Sequence, residues 1–532
     1  MDRRQFLIGA GRLGLGVGAA AAVARCLPSP APIVAVPEVG RSPAPRDSAT
    51  ASPGPSPSPP GPRDTTIAAE NLRRGDRGWD LQSAGFGSAP AMFVGAASVA
   101  AGDTLDLHLA GAHPVRVEWY RLGWYGGLGG RLVRIDPNVT AVRGRPPSID
   151  PASGRAEAPF PVAVSLTVPD EWPSGLYFVV ARPTSGAPGG TPFIVRPASG
   201  ARTAPILFVS AAATWQAYNA WGGADLYKSS MADTPDEVSG RRAVQVSFDR
   251  PYLLRHGAGL MPRWELPFVR WQERSGRDVD YCTDVDLELH PEIASGRRLL
   301  VFAGHHEYWS RPMRSTLEAA IASGTNVVFL SANEMYWQVR FEPSPLGPAR
   351  RMTCWKSATA DPIVATQPLL TTCRWREAPV SDPEAVVIGQ MYGHIVRRSA
   401  DWIVLGAGHW LYEGTNLRDG DRITRLVGQE YDTFFPQFAP PGTQLLARSP
   451  VDAVTRREPA GGTPAAPNVQ TATIYTADSG ATVFAAGTMQ WSWALDGYGD
   501  RTFRGVLTPR DVRVARMTRN LFDRLGDGPL AA

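Results

Sequence analysis

Two short runs hold most of the residues able to do chemistry: Gly304-His305-His306-Glu307-Tyr308-Trp309-Ser310 and Ser331-Ala332-Asn333-Glu334-Met335-Tyr336-Trp337. A third run, Gly428-Gln429-Glu430-Tyr431-Asp432, adds carboxylates. Tyr308, Tyr336 and Glu430 together offer two phenols and a carboxylate, all oxygen donors. A hard, strongly Lewis-acidic ion such as ferric iron suits that set. The ion must pull the phenol pKa down from about 10 for a phenolate to exist at neutral pH. Three protein ligands leave positions for water and substrate, which is the requirement for metal-assisted hydrolysis. A plainer reading stands beside this one. A tyrosine at a strand end is commonly a packed ring with a solvated hydroxyl, and Glu430 can cap a helix or meet a basic side chain. Of His305 and His306, neighbours on an extended chain point to opposite sides, so only one faces a common ion. That one can serve as general base or as a supporting donor, with Glu307 beside it. His409, in Gly408-His409-Trp410, can enter the same crevice, whereas His394 reads as a structural histidine.

The elements around these runs explain how they would meet. Leu299, Leu300, Val301, Phe302 and Ala303 form an apolar strand that Gly304 ends. Ser310 is a good N-cap, and Pro312 sits in a first turn where its missing N–H costs little. The helix carries Leu317, Ala320 and Ile321 and stops at Gly324. Val327 to Leu330 make a second buried strand. This is a βαβ unit, so the strands are expected to be parallel with a right-handed crossover. Ligands of open parallel sheets bind beyond the carboxyl ends of the strands, where both polar runs fall.

Other chemistries lack their residues. No G-x-S-x-G elbow is present. The turn after Leu330 reads Ser331-Ala332-Asn333-Glu334, without the cysteine that a thiol amidotransferase places there. Ser210-Ala211-Ala212-Ala213-Thr214-Trp215, after the first strand, is poor for holding nucleotide phosphates. The four cysteines show no C-x-x-C or zinc spacing, although Cys354 and Cys373 could pair in an oxidising compartment.

With 532 residues the chain is long enough for more than one domain. It has sixteen Trp, so most must be buried or line a site. The net charge is +4, but Arg3, Arg4, Arg12 and Arg25 against Asp2 place +3 of it before residue 27. The remainder is close to neutral, which argues against a nucleic-acid partner. Asp2-Arg3-Arg4-Gln5-Phe6-Leu7 followed by a Gly/Ala/Leu-rich run reads as a twin-arginine export signal over 1–26. That run is too short and too weakly apolar for a stable transmembrane anchor. An exported, extracytoplasmic protein is therefore expected, and twin-arginine export carries folded chains, often with a cofactor in place.

Residues 27–64 are a Pro/Ser/Ala-rich tether. Residues 65–200 read as all-β, with Leu105, Leu107 and Leu109 alternating with polar neighbours, and suggest an immunoglobulin-like sandwich. Its aromatic stretch Trp119 to Tyr125 reads as core and packing against the next domain. From 204 to 532 the pattern becomes α/β. Strands are expected at Ile206–Val209, Val244–Phe248, Leu299–Ala303, Val327–Leu330 and Trp402–Leu405. A late hairpin is expected over 471–486 and a closing helix over 511–525. The expected architecture is thus a doubly wound α/β sheet preceded by the sandwich.

Several runs resemble the C-terminal region of the large (beta) subunit of N,N-dimethylformamidase. They are Thr214-Trp215-Gln216-Ala217-Tyr218-Asn219-Ala220-Trp221-Gly222-Gly223, the 304–310 and 332–337 runs, Gly428 to Asp432, and Met489-Gln490-Trp491-Ser492-Trp493. The resemblance spans roughly 204–525. It implies a class I glutamine amidotransferase-like sheet and a mononuclear iron held by two tyrosines and a glutamate, which by motif position fall on Tyr308, Tyr336 and Glu430. It implies hydrolysis of C–N bonds in small linear amides, and in such chemistry His305 or His306 would shuttle protons, with Glu307 as a further catalytic candidate. It also implies a small second subunit, with self-association as the alternative. The export signal departs from a cytoplasmic amidase, so the rival expectation is a non-catalytic exported protein that binds a ligand or carbohydrate on the same fold.

Overall fold

The computed structural model describes residues 66–81, 89–112, 114–201, 203–227, 242–454, 466–499 and 501–527. The export signal and the Pro-rich tether lie outside the described residues. Leu299–Phe302 is apolar at every position because it is a central strand covered on both faces. It pairs in parallel with Ile206–Ser210 on one side and with Asn326–Phe329 on the other. Val279–Thr283 adds a parallel strand outside Ile206–Ser210. Beyond Asn326–Phe329 comes Thr482–Ala485, again parallel, then antiparallel Val469–Thr476 and Gln444–Pro450. Seven strands therefore form one mixed sheet among the described residues.

Helices cover both faces of this sheet. On one, Leu207, Val209, Leu300, Phe302, Val327 and Phe329 pack against Met313, Leu317 and Ile321. These last three belong to the helix Arg311–Ala322, which crosses between two adjacent parallel strands. Ser310 Oγ caps that helix, accepting from Met313 N at 3.2 Å. Gly324, at φ +93°, turns the chain out of it. On the other face, Phe208 stacks on Phe268 at 5.4 Å, and Phe268 meets Phe522 at 6.0 Å. Those rings come from Leu266–Arg274 and Val512–Leu525.

Two expected strands differ, and two further strands were not expected. Trp402 belongs to Ala400–Ile403, which pairs with Arg422–Val427 in a separate two-stranded ribbon rather than in the main sheet. Gln245–Ser247 joins a four-stranded sheet with Gly347–Thr353, Trp337–Ser344 and Tyr308–Ser310. Tyr308–Ser310, read from sequence only as a loop and N-cap, is a short strand parallel to Trp337–Ser344. Val279–Thr283 was hidden because Asp280 interrupts its apolar run, and this carboxylate accepts from Ala204 N at 2.8 Å and from Arg297 Nη1 at 2.5 Å.

Residues 91–196 form two facing antiparallel-rich sheets, of three and five strands. Leu105, Leu107 and Leu109 from one meet Val117, Trp119 and Tyr177 from the other in a shared core. The stretch after Trp119 faces the α/β part. Arg121 there is fully buried and forks onto Glu273, with Nη2 2.7 Å from Oε1 and Nη1 2.9 Å from Oε2. Cys282, Cys354 and Cys373 are buried free thiols.

Candidate functional site

The polar runs collect where the Ile206–Ser210, Leu299–Phe302 and Asn326–Phe329 strands end. Glu307 is the hub. Its fully buried carboxylate accepts from Tyr218 Oη at 2.5 Å, from Tyr227 Oη, and from Trp337 Nε1 at 3.1 Å. His305 Nε2 lies 3.3 Å from the same carboxylate and 3.7 Å from Glu430 Oε2. His305, Glu307 and Glu430 are thus brought together, with the imidazole between two carboxylates. The Tyr218 and Tyr227 hydroxyls are 3.1 Å apart and their rings stack at 4.6 Å.

The two histidines diverge, as their adjacency requires. Burial disfavours the imidazolium of His305, yet the hydrogen bond to Glu307 and the charges of Glu430, Glu307 and Glu334 outweigh it, pushing its pKa up to about 9. His306 points back into the sheet. Its Nε2 faces the Val209 carbonyl at 3.0 Å, and its Nδ1 lies 3.4 Å from Glu334. Burial lowers the His306 pKa and raises that of Glu334 well above the carboxylic range. Asp284 and Glu265, also buried near His306, are each pushed up to about 7 chiefly by desolvation.

Tyr308 and Tyr336 take separate partners. Tyr308 pairs in register with Trp337, one residue past Tyr336. The Tyr308 hydroxyl accepts from Lys356 Nζ at 2.7 Å, and the Tyr336 hydroxyl accepts from Arg374 Nη1 at 3.4 Å. Burial and the neighbouring Glu307, Tyr227 and Tyr218 hold the Tyr308 phenol pKa well above its usual range. Glu430 is held by Asn333 Nδ2 at 2.7 Å, while Asn333 N donates to Asp432 Oδ1 at 2.8 Å. Asn333 and Met335 sit at φ +58° and +56°, strain concentrated where the chain leaves the sheet for the site. His409 caps a short helical turn instead, accepting at Nδ1 from Leu411 N. His394 Nδ1 accepts from the following backbone N–H.

Sequence reasoning assigned no role to Tyr218, Tyr227, Asn333 or Lys356. Tyr218 stood inside a quoted run directly after a central strand, which was the available signal. Lys356 follows the strand Gly347–Thr353, outside the polar runs, so no spacing betrayed it. Its ammonium lies 3.0 Å from the centre of the Tyr227 ring and 4.8 Å from that of Trp337, a cation in an aromatic box.

Among the described residues, no group of three or more His, Cys, Asp or Glu is arranged to hold a metal ion. A hard cation would therefore have to draw on phenol oxygens. Oxygen ligands at right angles around a cation with bonds of about 2.0–2.1 Å lie roughly 2.8–3.0 Å apart. The Tyr218 Oη to Tyr227 Oη separation of 3.1 Å and the 2.5 Å from Tyr218 Oη to Glu307 straddle that range. Two phenols and one carboxylate are thus drawn together by shared protons, in a spacing a cation could take over.

The chain belongs to the family described as N,N-dimethylformamidase beta subunit-like, C-terminal, whose profile matches residues 116–502. That match begins inside the sandwich, earlier than the runs that first suggested it. Among curated relatives, the N,N-dimethylformamidase beta subunits of Alcaligenes sp and Paracoccus aminophilus are each 26% identical over 211 residues. These matches cover 34% of this chain and 28% of each relative's length. A Paenibacillus sp. cycloisomaltooligosaccharide glucanotransferase structure covers 49% of this chain and 33% of its own at 11% identity, with a TM-score of 0.14, too slight a likeness to carry an argument.

Proposed function

We propose that this chain is a hydrolase of C–N amide bonds with small linear amides as substrates. In this reading the two-tyrosine, one-carboxylate set is Tyr218, Tyr227 and Glu307 rather than Tyr308, Tyr336 and Glu430. The observation that carries it is the Glu307 carboxylate shared by two phenols at ligand-like spacing. Bound there, a ferric ion would supply Lewis acidity toward an amide carbonyl. The chain's own residues do the remainder. Glu307 and the two phenols give up their shared protons and orient the donors. His305, held between Glu307 and Glu430, carries a proton between attacking water and leaving amine. Asn333 fixes Glu430 for that exchange. Lys356 places a positive charge against Tyr308, at the half-buried side of the site where Tyr227 lies. His306 and Glu334, buried side by side within the fold, position the strand end that carries His305 and Glu307.

The reading also includes a class I glutamine amidotransferase-like sheet, an immunoglobulin-like sandwich and export by the twin-arginine route. A second subunit is part of it, since the relatives are named beta subunits. Among the described residues no helix is long and apolar enough to cross a membrane. The test is hydrolysis of N,N-dimethylformamide and formamide by metal-loaded protein. Glu307→Gln is expected to lose at least about 100-fold, the scale at which supporting residues of metal sites already act. Activity retained within twofold in that variant would overturn the reading. Protein that is folded and metal-loaded but inert toward every small amide would favour the binding-protein alternative.

A further inference from the structure

A second site lies apart from the tyrosine–carboxylate cluster, where the sandwich meets the helix Leu266–Arg274. A cavity of about 250 Å³ opens there, lined by four arginines, Arg77, Arg270, Arg274 and Arg510. Arg270 and Arg274 are one turn apart on the same helix, so their guanidinium groups emerge together. Trp124, on the sandwich side, braces both, with its ring centre 5.3 Å from Arg270 Cζ and 5.1 Å from Arg274 Cζ. Tyr498 closes over Arg270 at 4.9 Å. These are cation–π contacts that hold the cations in place without neutralising them.

The charges do not balance. Arg270 is matched by Asp496, Nε to Oδ1 at 2.9 Å, in a pair exposed by only 7% and 6%. The same Asp496 oxygen also accepts from Tyr498 N at 2.9 Å. Arg77, Arg274 and Arg510 make no ion pair with any described carboxylate, and the one other acid in the lining is Asp80. Three such guanidinium groups against that acid leave the cavity with an excess of two positive charges. The chain outside its first 26 residues is close to neutral overall. Such a concentration, held by aromatic rings around a preformed hollow, is the chemistry that recognises an oxyanion.

We propose that this cavity binds a small dianion, a phosphate group or a dicarboxylate, through Arg77, Arg274 and Arg510. The site is independent of the amide chemistry proposed above. Its ligand is held by forked N–H donors, and Trp124 and Tyr498 give the wall its shape.

Equilibrium dialysis of the whole protein, at fixed ionic strength near 0.15 M, tests this with labelled inorganic phosphate and labelled succinate as separate probes, and acetate as the monoanion control. About one equivalent of phosphate or succinate should bind saturably, with a Kd at or below about 1 mM, and acetate at least about tenfold more weakly. Which dianion binds more tightly separates the phosphate source from the dicarboxylate source. Arg77→Gln/Arg274→Gln removes two largely exposed cations and should fold normally, shown by an unchanged circular dichroism spectrum. It is expected to weaken binding at least about tenfold and to leave amide hydrolysis and metal content unaltered. No saturable binding of either dianion would overturn the proposal. So would equal binding by the folded double variant, which would signify a general salt effect. If hydrolysis is absent while the dianion binds, the amide reading fails and this one stands.

Discussion

Replacing Glu273 with Gln tests how the sandwich is fastened to the α/β part. The Glu273 carboxylate accepts two bonds from Arg121, at 2.7 and 2.9 Å, and a third from Tyr281 Oη at 2.9 Å. Both charged side chains are fully buried. The amide of Gln turns one acceptor into a donor facing the guanidinium, and Arg121 keeps one bond to the remaining amide oxygen beside Ser174 O at 3.1 Å and Tyr125 Oη at 3.0 Å, with its charge no longer matched. Breaking one side of a buried pair costs about 3–5 kcal/mol, because the remaining charge stays desolvated. Unfolding entropy is about 2.1 cal/mol/K per residue. Over a compact unit of about 470 residues that is roughly 1 kcal/mol/K, so Tm should fall by about 3–5 °C. Arg121→Met/Glu273→Met removes both charges and should recover at least half of the loss. Scanning calorimetry at one fixed rate measures all three proteins. A single variant within about 1 °C of the parent, or a double variant less stable than the single, would refute the reasoning.

Three further outcomes are expected. His305→Gln keeps a polar side chain between Glu307 and Glu430, so metal content should hold while amide hydrolysis slows by about 100-fold or more. Steady-state kinetics beside metal analysis checks it, and an unchanged rate would remove His305 from proton transfer. Arg3→Lys/Arg4→Lys should leave the chain in the cytoplasm with its N-terminus uncut, as fractionation and N-terminal sequencing would show. Normal export would mean that the signal is something else. Ser310→Ala deletes the cap on Arg311–Ala322 and should cost about 1 kcal/mol in urea unfolding, with m unchanged. A loss below about 0.3 kcal/mol would show the cap to be dispensable.

The βαβ unit was legible because its signals agree. Leu299 to Phe302 is apolar throughout, Ser310 and Pro312 start the helix, and Gly324 ends it. The Asp478-Ser479-Gly480 turn marked the late hairpin, and the closing helix expected over 511–525 is Val512–Leu525, capped by Asp511. Family membership was legible from the same aromatic and acidic runs. The site was legible only in outline. His305, Glu307 and Glu430 do converge, but convergence of Tyr218 and Tyr227 on Glu307 depends on contacts spanning 89 and 80 residues. No local pattern encodes such a contact. Tyr308 and Tyr336 were read from their places after adjacent strands and from the motif positions of the family. In space, Lys356 and Arg374 engage their hydroxyls, and neither basic residue belongs to those runs. Trp402 misled in a similar way, since a fully buried tryptophan reads as main-sheet strand although its partner is the ribbon Arg422–Val427.

The central claim, that Tyr218, Tyr227 and Glu307 form the metal-holding set, is tested most directly by iron content and visible absorption of the purified protein and four single variants. The parent is expected to carry about one iron per chain, with a phenolate-to-iron charge-transfer band. Tyr218→Phe and Tyr227→Phe should each lower the iron content and bleach or shift the band. Tyr308→Phe and Tyr336→Phe should leave both intact. Bleaching in the latter two variants with the band retained in Tyr218→Phe and Tyr227→Phe would contradict the account and return the ligands to Tyr308 and Tyr336.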